Sequence, residues 1–284
     1  MQPHQHNSAS PAGAPAIDLR GVTKRFTTPT GATYTALRDL DLQVAPGEFC
    51  AVVGPTGCGK STTLTLVSGL ERPSLGTVKV HGEDVSGITP GVAFMFQTDA
   101  VLPWKTVLDN VAIGPRFRGT AKARANTAAR DWLRRVGLAG FEDRFPHQLS
   151  GGMRKRVALA QSLINEPRIL LMDEPFSALD VQTRAIMSNE LLQLWDLTRP
   201  AVVFVTHDLE EAIALADNVV VLTAGPGATV KASFDIDLPR PRVVQEIRFE
   251  QRFVGLYHQI WEALRSEVDI AYAQTTAATT KEAS

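Results

Sequence analysis

Gly54-Pro55-Thr56-Gly57-Cys58-Gly59-Lys60-Ser61 fits the pattern G-x-x-x-x-G-K-[ST], a spacing that lets a short loop hold phosphate. Glycines allow successive backbone N–H groups to turn inward around an anion. The apolar run Phe49 to Val53 before the loop reads as a buried strand, and Thr62, Leu64, Leu66, Val67 and Leu70 after it fall at helical spacing. A helix starting there points its positive end at the same place, so Thr62 joins the loop as a binding residue. Lys60 then reaches the β- and γ-phosphates of a nucleotide, and the Ser61 hydroxyl ligates Mg²⁺. Cys58 inside the loop is either a small filler or a thiol-sensitive point.

Asp173-Glu174 ends a second apolar run, Arg168-Ile169-Leu170-Leu171-Met172, and Pro175 follows it. Neighbouring residues leaving a strand point in different directions, so two adjacent carboxylates can take two tasks. Asp173 binds Mg²⁺ directly or through water, and Glu174 faces the γ-phosphate and polarises an attacking water. A solvated acidic turn is the plainer alternative, and the apolar run before the pair speaks against it.

These residues need a frame. The chain has 284 residues, 44% of them hydrophobic, and a formal net charge of −1. That supports one large core or two modest ones, and gives no global field favouring nucleic acid. Two cysteines, Cys50 and Cys58, are too few for a disulfide framework and predict a reducing compartment. No stretch approaches the roughly 18 apolar residues of a membrane span. The start, 1–15, lacks the basic and apolar segments of a signal peptide and predicts a disordered tail, in which His4 and His6 are ordinary polar residues.

Short alternating segments at Ile17–Arg20 and Leu40–Val44, extended by Gly76–Val80, predict antiparallel strands. Val92–Phe96 predicts a further strand. Thr106 to about Val136 turns helical with breaks at Pro115 and Gly119, and Gly151 to about Ile164 is helical again. Arg168–Met172 and Ala201–Val205 read as strands buried on two faces, with Gln182–Leu197 as the crossover helix between them. The result is α/β layering with a helical insert over about 98–164. A stiff link, Asp237-Leu238-Pro239-Arg240-Pro241-Arg242, then precedes an amphipathic helix carrying Phe249, Phe253, Leu256, Tyr257, Ile260, Trp261 and Leu264. Docking of that helix on its own domain is expected over a partner or membrane surface, and a disordered tail is expected over 271–284.

With these motifs in order, the chain resembles the ATP-binding subunit of an ABC transporter. Leu149-Ser150-Gly151-Gly152-Met153 resembles the family signature, Gln97 falls at the Q-loop, Ser177-Ala178-Leu179-Asp180 at the D-loop and His207 at the switch histidine. The match runs from about Ile17 to Leu222. It implies a P-loop NTPase core of ABC ATPase type, over 16–236, with an antiparallel β subdomain and an α-helical insert subdomain; 237–270 is then a link and helix. It implies ATP and Mg²⁺ as cofactors and hydrolysis as the activity. Ser150, Gly151 and Gly152 would grip the γ-phosphate held by a second copy of the chain, in a head-to-tail dimer with two ATPs between the protomers. His207 would contact the γ-phosphate, Gln97 would touch Mg²⁺ and the water, and Asp180 would connect the two sites. Phe26 sits where the family stacks adenine, with Tyr34 as runner-up and a plain core aromatic as the other reading. Met153 departs from the usual signature Gln, which leaves its contact with the opposite nucleotide open. His147, just before the signature, reads as a surface turn residue.

Gly47-Glu48-Phe49, Met153-Arg154-Lys155-Arg156-Val157 and Leu238-Pro239-Arg240-Pro241-Arg242 resemble the nitrate/sulfonate/taurine branch of importers. That implies separate integral membrane permease subunits docking near Val101-Leu102-Pro103-Trp104, indirect work with a periplasmic solute-binding protein, and a peripheral place on the cytoplasmic face of the cell membrane. Nitrate, alkanesulfonates, taurine and pyrimidine precursors of thiamine are the open solutes. The alternative is a soluble ABC-type ATPase acting on nucleic acid or translation. Against it, the stretch from Gln97 to Leu149 carries no heptad run, and no nucleic acid is expected as partner. A small-molecule kinase has no use for the signature or the switch histidine.

Overall fold

The computed structural model describes residues 14–28, 31–98 and 100–282; most of the tail expected at 1–15 lies outside them. Two long strands come first, β1 (Ile17–Thr27) and β2 (Thr33–Val44), paired antiparallel with Ile17 opposite Val44 and Phe26 opposite Tyr34. β3 (Phe49–Val53) leads through the loop at 54–59 into α1 (Lys60–Ser68). β4 (Leu75–Val80) pairs with the other edge of β1, and β5 (Glu83–Asp84) with β4. The sheet order is β2-β1-β4-β5. Gly76 holds φ at +83°, and a Cβ there would lie 2.3 Å from the Gly21 carbonyl oxygen, so β4 meets β1 only with glycine at this point.

The second sheet adds β6 (Val92–Met95), β7 (Ile169–Asp173), β8 (Ala201–Val205), β9 (Asn218–Leu222) and β10 (Val230–Asp235), in the order β10-β9-β3-β8-β7-β6. Neighbours run parallel except β10, which is antiparallel to β9. The strand period of two divides the apolar residues between two cores. Phe49, Ala51, Val53, Leu170, Met172, Val202 and Phe204 face the helices. Cys50, Val52, Ile169, Leu171, Val203 and Val205 face α1 and the antiparallel sheet. Burial on both faces is why these strands read as continuous apolar runs.

α2 (Val107–Phe117), α3 (Lys122–Arg135) and α4 (Gly151–Leu163) form the insert between β6 and β7. α5 (Val181–Thr198) crosses from β7 to β8, and α6 (Leu209–Leu215) joins β8 to β9. α7 (Val244–Ile247) and α8 (Gln251–Glu282) complete the described chain.

Three features depart from the sequence reading. Pro115 does not end α2; the helix runs two residues past it to Phe117, at the cost of the N–H bond that proline cannot make. β9 and β10 were not expected as strands, although Val219-Val220-Val221 is an apolar run like the others. The expected tail from 271 is instead helical through Glu282, because its alanines carry high helix propensity and no Gly or Pro interrupts them. Phe253, Ile260 and Leu264 of α8 join the helix-side core, which places the amphipathic face on its own domain.

Candidate nucleotide site

The site lies beyond the C-terminal ends of β3, β7 and β8, where parallel strands hand over to loops. A cavity of about 560 Å³ is lined by Phe26, Tyr34, Thr56, Gly57, Gly59, Lys60, Ser61, Thr62, Gln97, Glu174 and His207, with Ala36. Residues from 26 to 207 thus meet in one place.

Gly59 caps α1 with φ at +95°, and a Cβ there would lie 2.6 Å from Leu37 Cδ2. The loop therefore closes on β2 only with glycine, and α1 starts with its N–H groups aimed into the cavity. Lys60 is buried and its Nζ donates to the carbonyls of Gly54 at 2.8 Å and Pro55 at 2.9 Å. Gly54, Pro55 and Cys58 shape the loop without lining the cavity. The Cys58 thiol is fully buried and burial pushes its pKa up, which fits a residue that fills space in the loop.

At the end of β7 the two carboxylates do part. Asp173 Oδ1 accepts from the Ser61 hydroxyl at 3.0 Å. Burial pushes the Asp173 carboxyl up, the Ser61 bond opposes this, and the Glu174 charge adds to it. Glu174 takes a left-handed backbone, φ +42°, held by its N–H donating to the Val205 carbonyl at 2.9 Å. Such a conformation costs about 1–3 kcal/mol at a non-glycine residue, and here it turns the side chain into the cavity. Glu174 Oε2 lies 3.2 Å from His207 Nδ1 and accepts from Gln97 Nε2 at 3.3 Å. A carboxylate held by two side chains beside a phosphate loop can accept a proton from a water that attacks phosphate.

Both rings considered for the adenine, Phe26 and its runner-up Tyr34, line the cavity. Phe26 and Tyr34 are cross-strand partners at the cavity mouth. Lys24 Nζ sits 4.7 Å from the Phe26 ring centroid, and the Tyr34 hydroxyl donates to Gly57 O at 3.4 Å.

Ser150, Gly151, Gly152 and Asp180 do not line this cavity. Ser150 caps α4, its hydroxyl accepting from Met153 N–H at 3.3 Å. Around it, a Cβ on Gly151 would meet Leu179 Cδ2 at 3.7 Å, and one on Gly152 would meet Thr183 Cγ2 at 3.1 Å. The signature and the 177–180 loop therefore form a second cluster. Asp180 caps α5, accepting from the Thr183 hydroxyl at 2.7 Å and from Thr183 N–H at 2.9 Å. Those bonds, led by the hydroxyl, hold its carboxyl below the usual range. Within the chain Asp180 is a capping residue. His147 is exposed in a 3₁₀ turn, Pro146–Gln148.

Lys155 is buried on α4, and its Nζ donates to the Gln97 carbonyl at 2.8 Å, tying the signature helix to the Gln97 loop. Near Gln97, Val101 is buried while Trp104 is 71% exposed, so the Val101–Trp104 segment is split between core and surface. An apolar groove of about 620 Å³ opens beside it, with Phe94, Phe96, Ala100 and Phe117 among its walls.

Comparison with known proteins extends the geometry. The family profile described as ABC transporter matches residues 37–177. An uncharacterized ABC transporter ATP-binding protein of Methanocaldococcus jannaschii is 46% identical over 233 residues, 82% of this chain and 86% of the relative. In Synechococcus elongatus, the bicarbonate transport ATP-binding protein CmpC is 37% identical over 89% of this chain. The nitrate import ATP-binding protein NrtC of the same organism is 37% identical over 85%. The chain spans 37% of the length of each of those two. Among solved structures, the ATP-binding cassette MJ0796, dimeric in a post-hydrolysis state with ADP and Pi, superimposes with a TM-score of 0.69 at 28% identity. It covers 78% of this chain and all of that one.

Proposed function

The chain belongs to the ABC transporter family as an ATP-binding and ATP-hydrolysing subunit, and we propose that it powers import of a small anion through separate membrane-spanning subunits. The observation that carries the reading is Glu174. Its carboxylate stands over the phosphate loop with His207 and Gln97 on the same oxygen. In this reading Lys60 and the N-terminus of α1 balance the phosphate charge, and Phe26 with Tyr34 receives the base. Glu174 takes the proton of the attacking water, and His207 fixes that water's place. Mg²⁺ fits the donor set at Ser61 and Asp173, two oxygens 3.0 Å apart at the loop's end, with the Gln97 amide as a further ligand. When bound, the ion draws off negative charge building on the phosphates.

The ATPase unit is read as 16–236, with 98–164 as its helical subdomain and the segment from 237 packed onto it. Ser150, Gly151 and Gly152 then serve the nucleotide of a second copy, and the groove walled by Phe94, Phe96 and Phe117 receives a permease segment. Among the described residues no helix is long and apolar enough to cross a membrane. A peripheral place on the cytoplasmic face of the cell membrane follows from the permease reading, with a periplasmic binding protein acting at a distance. The names of CmpC and NrtC support bicarbonate or nitrate as solute; alkanesulfonates and taurine share the oxyanion chemistry.

The test is recovery from membranes. The tagged chain, solubilised in detergent, is expected to carry an integral membrane protein in fixed ratio. Cells bearing Lys60→Ala are expected to lose uptake of one labelled solute among nitrate, bicarbonate and taurine. A chain recovered only in the soluble fraction, with ATPase activity stimulated by DNA or RNA, would overturn the transport reading.

A further inference from the structure

We infer that Arg184 is a positioning residue for hydrolysis, a strut that sets His207 relative to the 177–180 loop. The inference rests on the reading of His207 as a participant in hydrolysis.

Arg184 lies in the first turn of α5, its N–H closing on the Asp180 carbonyl at 2.8 Å. Its guanidinium reaches two segments at once. Nη2 donates to the Leu179 carbonyl at 3.2 Å, and Nη1 donates to Asp208 Oδ2 at 2.7 Å. Asp208 directly follows His207. Its other oxygen, Oδ1, accepts from the N–H groups of Glu210 at 3.0 Å and Glu211 at 3.2 Å, which start α6. The two oxygens thus have separate tasks: one caps a helix, the other meets Arg184. Capping needs only the first, so the second bond is not required to form α6.

On the other side of His207, the Thr206 hydroxyl accepts from Asp208 N–H at 3.1 Å and donates to the buried Glu211 Oε2 at 2.6 Å. The backbone is therefore pinned on both sides of an imidazole whose own side chain is 57% exposed and meets Glu174 at 3.2 Å. With so little packing around the ring, its aim depends on those pins. Arg184 ties them to Leu179, which lies against the signature at Gly151. A planar guanidinium with diverging N–H groups can hold both partners, whereas a lysine holds one and a methionine neither. The strut thereby connects the cavity holding the phosphate loop to the cluster holding the signature.

Single-turnover ATP hydrolysis by the purified full chain tests this in wild-type and His207→Ala backgrounds, with nucleotide affinity and Tm measured beside it. Arg184→Met is expected to slow hydrolysis about tenfold while nucleotide affinity stays within about twofold. Arg184→Lys is expected to recover part of the rate. In the His207→Ala background Arg184→Met is expected to change the rate no further, because the group it positions is gone. An equal fold-loss in both backgrounds overturns the proposal, as does an unchanged rate for Arg184→Met. If Arg184→Met does not fold, Asp208→Asn replaces it. It keeps the capping oxygen and weakens the strut, and the same non-additivity with His207→Ala is expected. A His207→Ala rate equal to wild type sinks the reading of His207 itself, a result distinct from additivity. Where the His207→Ala rate is undetectable, the Arg184→Lys rescue decides: no recovery at matched Tm overturns the strut.

Discussion

The Glu211 carboxyl shows how a single buried group answers to pH. Burial pushes its pKa up from 4.5 to about 7; the Thr206 hydroxyl opposes this, the Asp208 charge adds to it and the Arg184 charge opposes it. The folded chain therefore keeps a proton that the unfolded chain gives up near 4.5. Between these values the unfolded state binds fewer protons, so stability falls as pH rises through the window and levels off above about 7. Glu211→Gln retains an acceptor for Thr206 and removes the charge. Its advantage over wild type is expected to grow by about 3 kcal/mol from pH 4.5 to 7 and then stay constant, as read by urea unfolding at each pH. A constant difference across that range would remove Glu211 as the titrating group. The same residue scale explains what the sequence could reveal of the site. The phosphate loop, Glu174 and His207 are legible because each follows an apolar strand within a few residues. Lys155 and Arg184 are not, because their partners lie 58 and 24 positions away. Spacing along the chain does not encode such meetings.

At the scale of elements, the segment after β10 works as a clamp. Arg242 has a side chain only 1% exposed. Its guanidinium donates to Ala216 O at 2.6 Å, at the C-terminal end of α6, and to Leu238 O at 2.9 Å and Ile236 O at 3.2 Å. One cation thus satisfies carbonyls at a helix end and in the strand exit that leads to α7 and α8. Burial pushes its pKa down to about 10, so it stays charged at neutral pH. Arg242→Met is expected to destabilise the chain by about 2–4 kcal/mol, since buried carbonyls lose their donor. Arg252, exposed and paired with Asp237, is the control; Arg252→Ala is expected to shift stability by no more than about 0.5 kcal/mol. Equal effects of the two in urea unfolding would show that Arg242 clamps nothing. Composition marks 237–242 as a stiff, turn-prone link and does not reveal its burial, because a buried arginine and an exposed one look alike in sequence. The parallel strands, by contrast, were legible from runs such as Ala201–Val205, since burial on both faces leaves no room for polar residues. β10 was not, because as an edge strand it is only half buried and its pattern is weak.

For the whole molecule, the proposed site is divided. The phosphate loop, Gln97, Glu174 and His207 share one cavity, while Ser150, Gly151 and Gly152 lie outside it against Leu179 and Thr183. A helix start capped by Ser150 and followed by two glycines can receive an anion, yet the chain's own loop does not present one there. A second copy related by a two-fold axis removes the mismatch at both sites together. The reading has a sharp consequence. In the presence of ATP and Mg²⁺, Glu174→Gln is expected to slow phosphate release by about 10²–10⁴-fold and to run as a dimer in light scattering, because the nucleotide that joins the copies persists. Adding Ser150→Arg is expected to return that variant to monomer while a fluorescent ATP analogue still binds. The added substitution removes a helix cap at a cost of about 1 kcal/mol, small beside the roughly 5–15 kcal/mol of a typical domain, so unfolding does not account for a lost dimer. The two halves fail separately. Near-normal hydrolysis by Glu174→Gln removes Glu174 as base, whereas a dimer that survives Ser150→Arg removes the signature from the interface and leaves the second cluster without a ligand.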